Sequence, residues 1–151
     1  MISNQVNKYM SLALSQAETA LAEGEVPVGC VIVRGDKVIA QARNRCRELK
    51  DPTAHAEMLA IREALRATGD MYLNDCAMYV TLEPCPMCAG AIILARPDVV
   101  VWGATDPKRG GGTVFGIFDH PGINHHPQVV AGVLEEPCRL VLQEFFRARR
   151  A

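Results

Sequence analysis

Apolar residues at Val6, Tyr9, Met10, Ala13, Leu14, Ala17 and Leu21 recur at helical spacing, with Gly24 just beyond them. They predict an amphipathic helix over residues 4–23. The pattern then changes. Val28 to Val33 is a β-branched run, Gly35-Asp36 is a tight turn, and Lys37 to Ala42 returns, together a β-hairpin. A helical spacing resumes from Ala54 to Leu65, with Thr53 as the expected N-cap and Gly69 as the stop. Cys76 to Leu82 reads as a strand ended by Pro84, and Met87 to Ala95 as a short buried helix with Pro86 in its first turn. Val99 to Trp102 is uniformly apolar, as in a strand covered on both faces. Strand, helix, strand from residue 76 is a βαβ unit, so its strands should pair in parallel. Residues 103–127 form a long Gly-, Pro- and His-rich loop, and residues 135–150 a final helix.

Composition narrows the class. The 151 residues are 49% hydrophobic and 22% charged, with no repeat or low-complexity tract, which fits one globular domain over 1–151. No apolar run reaches the roughly 20 residues of a membrane helix, and the N-terminus lacks a secretory pattern, so a cytoplasmic protein with no membrane partner is expected. A formal net charge of −1 excludes a generally basic nucleic-acid coat but leaves room for a local basic patch. Six cysteines in such a chain point to metal or thiol chemistry.

That chemistry has two local carriers, His55-Ala56-Glu57 at a helix start and Pro84-Cys85-Pro86-Met87-Cys88 at a strand-to-helix turn. One helical turn brings the thiols of a Cys-x-x-Cys together, and the helix N-terminus favours thiolate charge. Two thiolates and an imidazole suit Zn²⁺. His55, Cys85 and Cys88 make three donors, and a catalytic zinc keeps its fourth position for water, whereas a structural one closes it. A structural site would recruit Cys30, Cys46, Cys76, Cys138, His120, His125 or His126; a redox pair would leave His55 and Glu57 without a role. Glu57, two residues from His55, can reach the metal's water without binding the metal. The four cysteines outside the motif are read as small buried hydrophobes.

The pattern H-x-E … P-C-x-x-C matches the signature of zinc-dependent nucleobase deaminases. In that chemistry an activated water adds to the amidine carbon, and the glutamate moves protons from the water to the ring nitrogen and the leaving amine. Longer segments carry a closer likeness. Asp51 to Glu57, Tyr79 to Ala91, Glu25 to Gly29, Trp102 to Lys108, His120 to His125 and Phe145 to Arg150 resemble the bacterial tRNA-specific adenosine deaminases of the cytidine/deoxycytidylate deaminase superfamily. The resemblance implies an α/β, cytidine-deaminase-like three-layer α/β/α fold with a mixed five-stranded sheet. It implies one Zn²⁺ per subunit, no organic cofactor, a homodimer, and conversion of the wobble adenosine to inosine in the anticodon stem-loop of an arginine tRNA. By position, it implies that Asn44 contacts the flipped nucleoside and that Val28, Ala56 and Pro84 surround its base. Asp106 and Lys108 would meet flanking nucleotides, and His120 and Asn124 the anticodon. Phe145, Arg147, Arg149 and Arg150 would form the RNA-contacting tail helix.

The sequence departs from that family at Gly110-Gly111-Gly112-Thr113, about one residue short and without the usual Ser, and at Cys30, where Ala is usual. Two other functions remain in view: a deaminase of a free base such as guanine or cytosine, and a non-catalytic RNA-binding subunit that keeps zinc for folding. Glu57 speaks against the second, since an inert zinc scaffold has no use for that carboxylate.

Overall fold

The computed structural model describes the backbone of residues 2–150 and the side chains of residues 5–149. Helix α1 (Ile2–Ala22) leads into the hairpin β1 (Gly29–Arg34) and β2 (Lys37–Arg43). A one-turn helix α2 (Cys46–Leu49) precedes α3 (Ala56–Thr68). Strand β3 (Cys76–Leu82), helix α4 (Pro86–Ala95) and strand β4 (Val99–Ala104) form the expected crossover. A 3₁₀ turn (Ile117–Asp119), β5 (Gln128–Val130) and α5 (Glu135–Arg150) complete the chain. The sheet order is β2-β1-β3-β4-β5. β1 is antiparallel to both its neighbours, whereas β3, β4 and β5 run parallel.

Alternation across the sheet makes three layers. Cys30, Ile32, Met78, Val80, Val100 and Trp102 pack with Ala60 and Ile61 of α3 and Ala89 and Ile92 of α4. Val31, Val33, Tyr79 and Val101 face the other way, against Tyr9, Met10 and Ala13 of α1 and Cys138 of α5. Both sheet faces are thus covered, the physical reason the central strands read as unbroken apolar runs. Helix α1 lies so close to β1 that a Cβ at Gly29 would stand 2.7 Å from the Ala17 backbone nitrogen. Glycine there is a packing requirement.

The expected start of the second helix is corrected. Helix α3 begins at Ala56 with His55 as its N-cap. Thr53 is captured earlier: its backbone N–H and hydroxyl both donate to Asp51 Oδ1, at 2.8 and 2.7 Å. That local turn offers Thr53 a better partner than a helix end would. The turn also places His55, rather than a capping hydroxyl, at the tip of the helix. The strand β5 and the one-turn α2 lie in stretches that carry no periodic signal.

Candidate active site

Two helix N-termini converge beyond the carboxyl ends of β3 and β4, where open parallel sheets place their ligands. His55 caps α3, Cys85 caps α4, and Cys88 lies in the first turn of α4. His55 Nδ1 is 3.6 Å from Cys85 Sγ and 3.6 Å from Cys88 Sγ. All three donor atoms lie within 4.8 Å of one another. Tetrahedral zinc with its usual bond lengths separates ligand atoms by about 3.5–3.8 Å, so the set fits that ion. Among the described residues no fourth side chain joins the group. The alternatives weighed for a closed structural site are engaged or buried elsewhere. His125 Nε2 meets Pro97 O at 2.6 Å, His126 Nδ1 meets Phe118 O at 3.1 Å, and Gly122 N–H donates to His120 Nδ1. Cys30, Cys76 and Cys138 are buried, and Cys46 is half-buried.

The electrostatics of the metal-free site follow from shared hydrogen bonds. The Cys88 thiol, then His55 and the Cys88 backbone N–H, hold Cys85 down to about 4, against the pull of burial. The same shared bond and burial push Cys88 up. The Cys85 contact raises His55. Glu57 is 3% exposed. Burial pushes its carboxyl up to about 7, opposed by its own backbone N–H and by His55.

A cavity of about 450 Å³ opens onto this group and is mostly apolar, within the range of small-molecule sites. Of the residues expected around the substrate, Val28, Asn44 and Asp106 line it. Asn44 Oδ1 accepts from the Ala56 N–H at 2.7 Å, while its amide nitrogen has no hydrogen bond among the described residues. Ala56 and Pro84 are buried behind the wall, and the Pro84 carbonyl accepts from Gly111 N–H. Asp106 Oδ1 accepts from Lys108 and Arg109 N–H groups, fixing a turn that leaves Lys108 exposed outside the cavity. His120 and Asn124 are exposed and do not line it.

The tail helix divides the expected contacts. Phe145 is buried, and the Arg149 guanidinium lies over its ring at 4.5 Å and donates to Gly24 O at 3.1 Å. Arg147 is exposed, and the Arg150 side chain lies outside the described residues. It is Arg139, Leu142 and Phe146 on α5, together with Arg109, that line the cavity beside His55 and Glu57. Sequence reading missed these four. Their only signal was the i, i+3, i+7 spacing of the α5 residues, which could equally have faced the core.

The comparisons agree with this geometry. Residues 3–104 match the family model for the cytidine and deoxycytidylate deaminase zinc-binding region. A tRNA-specific adenosine deaminase from Aquifex aeolicus is 48% identical over 94% of both chains. The chain belongs to the tRNA-specific adenosine deaminase family. These enzymes are hydrolases of nucleobases, and the mixed sheet with its flanking helices is their fold. A structure from studies of A-to-I editing by tRNA:A34 deaminases superposes with a TM-score of 0.87 at 44% identity, covering 89% of this chain and 99% of that one. A guanine deaminase from Nitrosomonas europaea, 22% identical, covers 92% of this chain and 83% of that one with a TM-score of 0.79. At that identity the likeness is one of fold alone. No helix among the described residues is long and apolar enough to cross a membrane.

Proposed function

We propose that this protein hydrolyses adenosine to inosine at the wobble position of a tRNA anticodon, the arginine tRNA being the expected substrate, with release of ammonia. The observation that carries the proposal is the three-donor group of His55, Cys85 and Cys88 beside the buried Glu57, at the floor of a cavity that can take a flipped base. His55, Cys85 and Cys88 would hold one Zn²⁺ per subunit, and zinc supplies Lewis-acid activation of water there. Glu57 acts as the proton carrier. Its carboxylate takes one proton of the attacking water and delivers it to the ring nitrogen beside the amidine carbon. It then carries the second proton, from the hydroxyl added at that carbon, to the departing amine as the carbon–nitrogen bond breaks. Adenosine and water are consumed, and inosine and ammonia are formed. Asn44 presents its unengaged amide to the nucleoside while its carbonyl steadies α3. Val28 and Leu82 offer apolar contact to the base.

The nucleotides on either side of the target lie at the cavity mouth, where Arg109 and Arg139 supply phosphate partners. The protein works in the cytoplasm as a homodimer, on the pattern its family implies.

The test is turnover of an arginine anticodon stem-loop carrying wobble adenosine, beside free guanine, by the zinc-loaded protein. Inosine and ammonia from the stem-loop alone are the expected result. Turnover of guanine alone would retain Glu57 and the zinc donors but remove RNA from the reading.

A further inference from the structure

Glu83 is 2% exposed, one residue past β3 and two before Cys85, and no ion pair among the described residues includes it. A carboxylate removed from water without a cation needs hydrogen bonds to replace its hydration. Glu83 Oε1 accepts from Asp106 N–H at 3.0 Å and from the Thr113 hydroxyl at 2.9 Å. Oε2 accepts from Gly112 N–H at 3.1 Å and from Thr113 N–H at 2.6 Å. All four donors belong to the single loop that leaves β4.

The loop sits tightly on both the carboxylate and the turn that carries the metal donors. A Cβ at Gly110 would lie 2.6 Å from Glu83 Oε2. At Gly111 it would lie 2.7 Å from Ala89 Cβ and 2.9 Å from the Pro84 carbonyl oxygen. Gly111 N–H donates to that carbonyl at 2.8 Å. From this seat the loop brings Thr105, Asp106, Pro107 and Arg109 into the wall of the cavity onto which Glu57 and His55 also open.

We propose that Glu83 is a positioning residue for the deamination. It gathers Asp106 and Thr113, seven positions apart in the first half of the loop, onto one carboxylate and so fixes the wall that orients the target base. The inference rests on the nucleobase deamination proposed above and adds to it a residue that acts without touching the reacting atoms. Glutamate is the residue type required. A glutamine has one acceptor oxygen, and its amide nitrogen would leave at least one of the backbone N–H groups unpaired. An aspartate is one methylene short of the loop. Gly110 and Gly112, where a Cβ would crowd Glu83, are what let the backbone close over the carboxylate.

The experiment compares zinc-loaded wild type with Glu83→Gln, Thr113→Val, Gly110→Ala and the double variant Glu83→Gln/Gly110→Ala on the wobble-adenosine stem-loop. Glu83→Gln should lower kcat roughly 10–100-fold with a much smaller change in KM and with zinc content unchanged. Thr113→Val should lower kcat in the same direction by several-fold. The double variant should be no worse than Glu83→Gln, because both substitutions unseat the same loop. Amide exchange should accelerate at Asp106, Gly112 and Thr113 in Glu83→Gln and stay unchanged in β3 and β4. Wild-type kcat in Glu83→Gln, multiplicative losses in the double variant, exchange that speeds up uniformly across the sheet, or loss of zinc would each overturn the proposal. If Glu83→Gln does not fold, Thr113→Val decides: local exchange with lowered kcat supports the inference, and unchanged kcat overturns it. If wild type turns over guanine and not the stem-loop, the substrate reading fails by itself, and the same kcat comparison is made on guanine.

Discussion

Asn44 is joined to α3, the helix that His55 caps, through one hydrogen bond, Ala56 N–H to Asn44 Oδ1 at 2.7 Å. The bond ties the end of β2 to the tip of α3, one residue past His55. It also settles the amide's orientation: the oxygen must face the backbone donor, which leaves the nitrogen without a hydrogen bond among the described residues on the wall of the cavity. Asn44→Asp separates the two duties. The carboxylate still accepts from Ala56 at a helix N-terminus, so stability should stay within about 1 kcal/mol of wild type and zinc should be retained. The lost amide donor should lower kcat/KM at least ~10-fold. An Asn44→Asp protein with wild-type kcat/KM would limit Asn44 to holding the helix.

Glu57→Gln should keep zinc and lose activity by ~100-fold or more, since the proton carrier is gone while its shape remains. The same variant has a second signature in the metal-free protein. Burial raises the Glu57 carboxyl from 4.5 to about 7. Its contribution to stability is therefore complete below pH 4.5 and is lost as pH rises through 7. That loss is on the order of 3 kcal/mol at pH 8. Glutamine does not titrate. After chelation, Glu57→Gln should match wild type in urea unfolding near pH 4 and exceed it near pH 8. A pH-independent difference would mean that the folded protein does not hold this carboxyl in its neutral form.

Metal removal should expose one thiol above the others. Cys85 is held down to about 4, so in metal-free protein at pH 6 it is a thiolate, while burial pushes the half-buried Cys46 up from 9.0. At pH 6 the thiolate fraction favours Cys85 by at least about three decades, because Cys85 is fully ionised there and a thiol at or above 9.0 is not. Its lower intrinsic nucleophilicity returns about two of those decades. Iodoacetamide at pH 6 should therefore label Cys85 well before Cys46, and added Zn²⁺ should suppress that labelling. Equal labelling of both, or labelling unaffected by zinc, would contradict the donor assignment.

The donors were legible in the sequence because their chemistry is local. His55-x-Glu57 and Cys85-x-x-Cys88 each fit within one helical turn, so spacing alone brings the atoms together. The hairpin was equally local, announced by Gly35-Asp36. Thr53 misled because Asp51, two residues back, competes for it within a turn that no helical periodicity reveals. Glu83 was invisible for the opposite reason. Its four donors lie 23 to 30 residues away, and a glutamate before a proline carries no pattern of its own. Phe145 and Phe146 show the same limit: only the packing of α5 decides that the first is buried and the second lines the cavity.

The arginines should separate by what they already touch. Arg149 donates to Gly24 O and covers Phe145, so part of its side chain serves the docking of α5. Arg109 has no side-chain partner among the described residues, and Arg139 has only an exposed ion pair with Glu136, a kind worth at most about 1 kcal/mol. A phosphate can displace such a partner at little cost. Replacing Arg109 and Arg139 with Ala should weaken stem-loop binding and reduce the slope of log K against log salt by roughly 1 to 2, without lowering Tm. Arg149→Ala should lower Tm by a few degrees and change the salt slope less. Replacing Arg147, Arg149 and Arg150 together should both weaken binding and flatten the slope if the tail follows the backbone of the RNA. The measurement is binding of a catalytically inactive Glu57→Gln protein to the stem-loop over a range of salt concentrations. An unchanged slope for Arg109→Ala/Arg139→Ala would take the phosphates away from the cavity mouth and leave the tail helix as their seat.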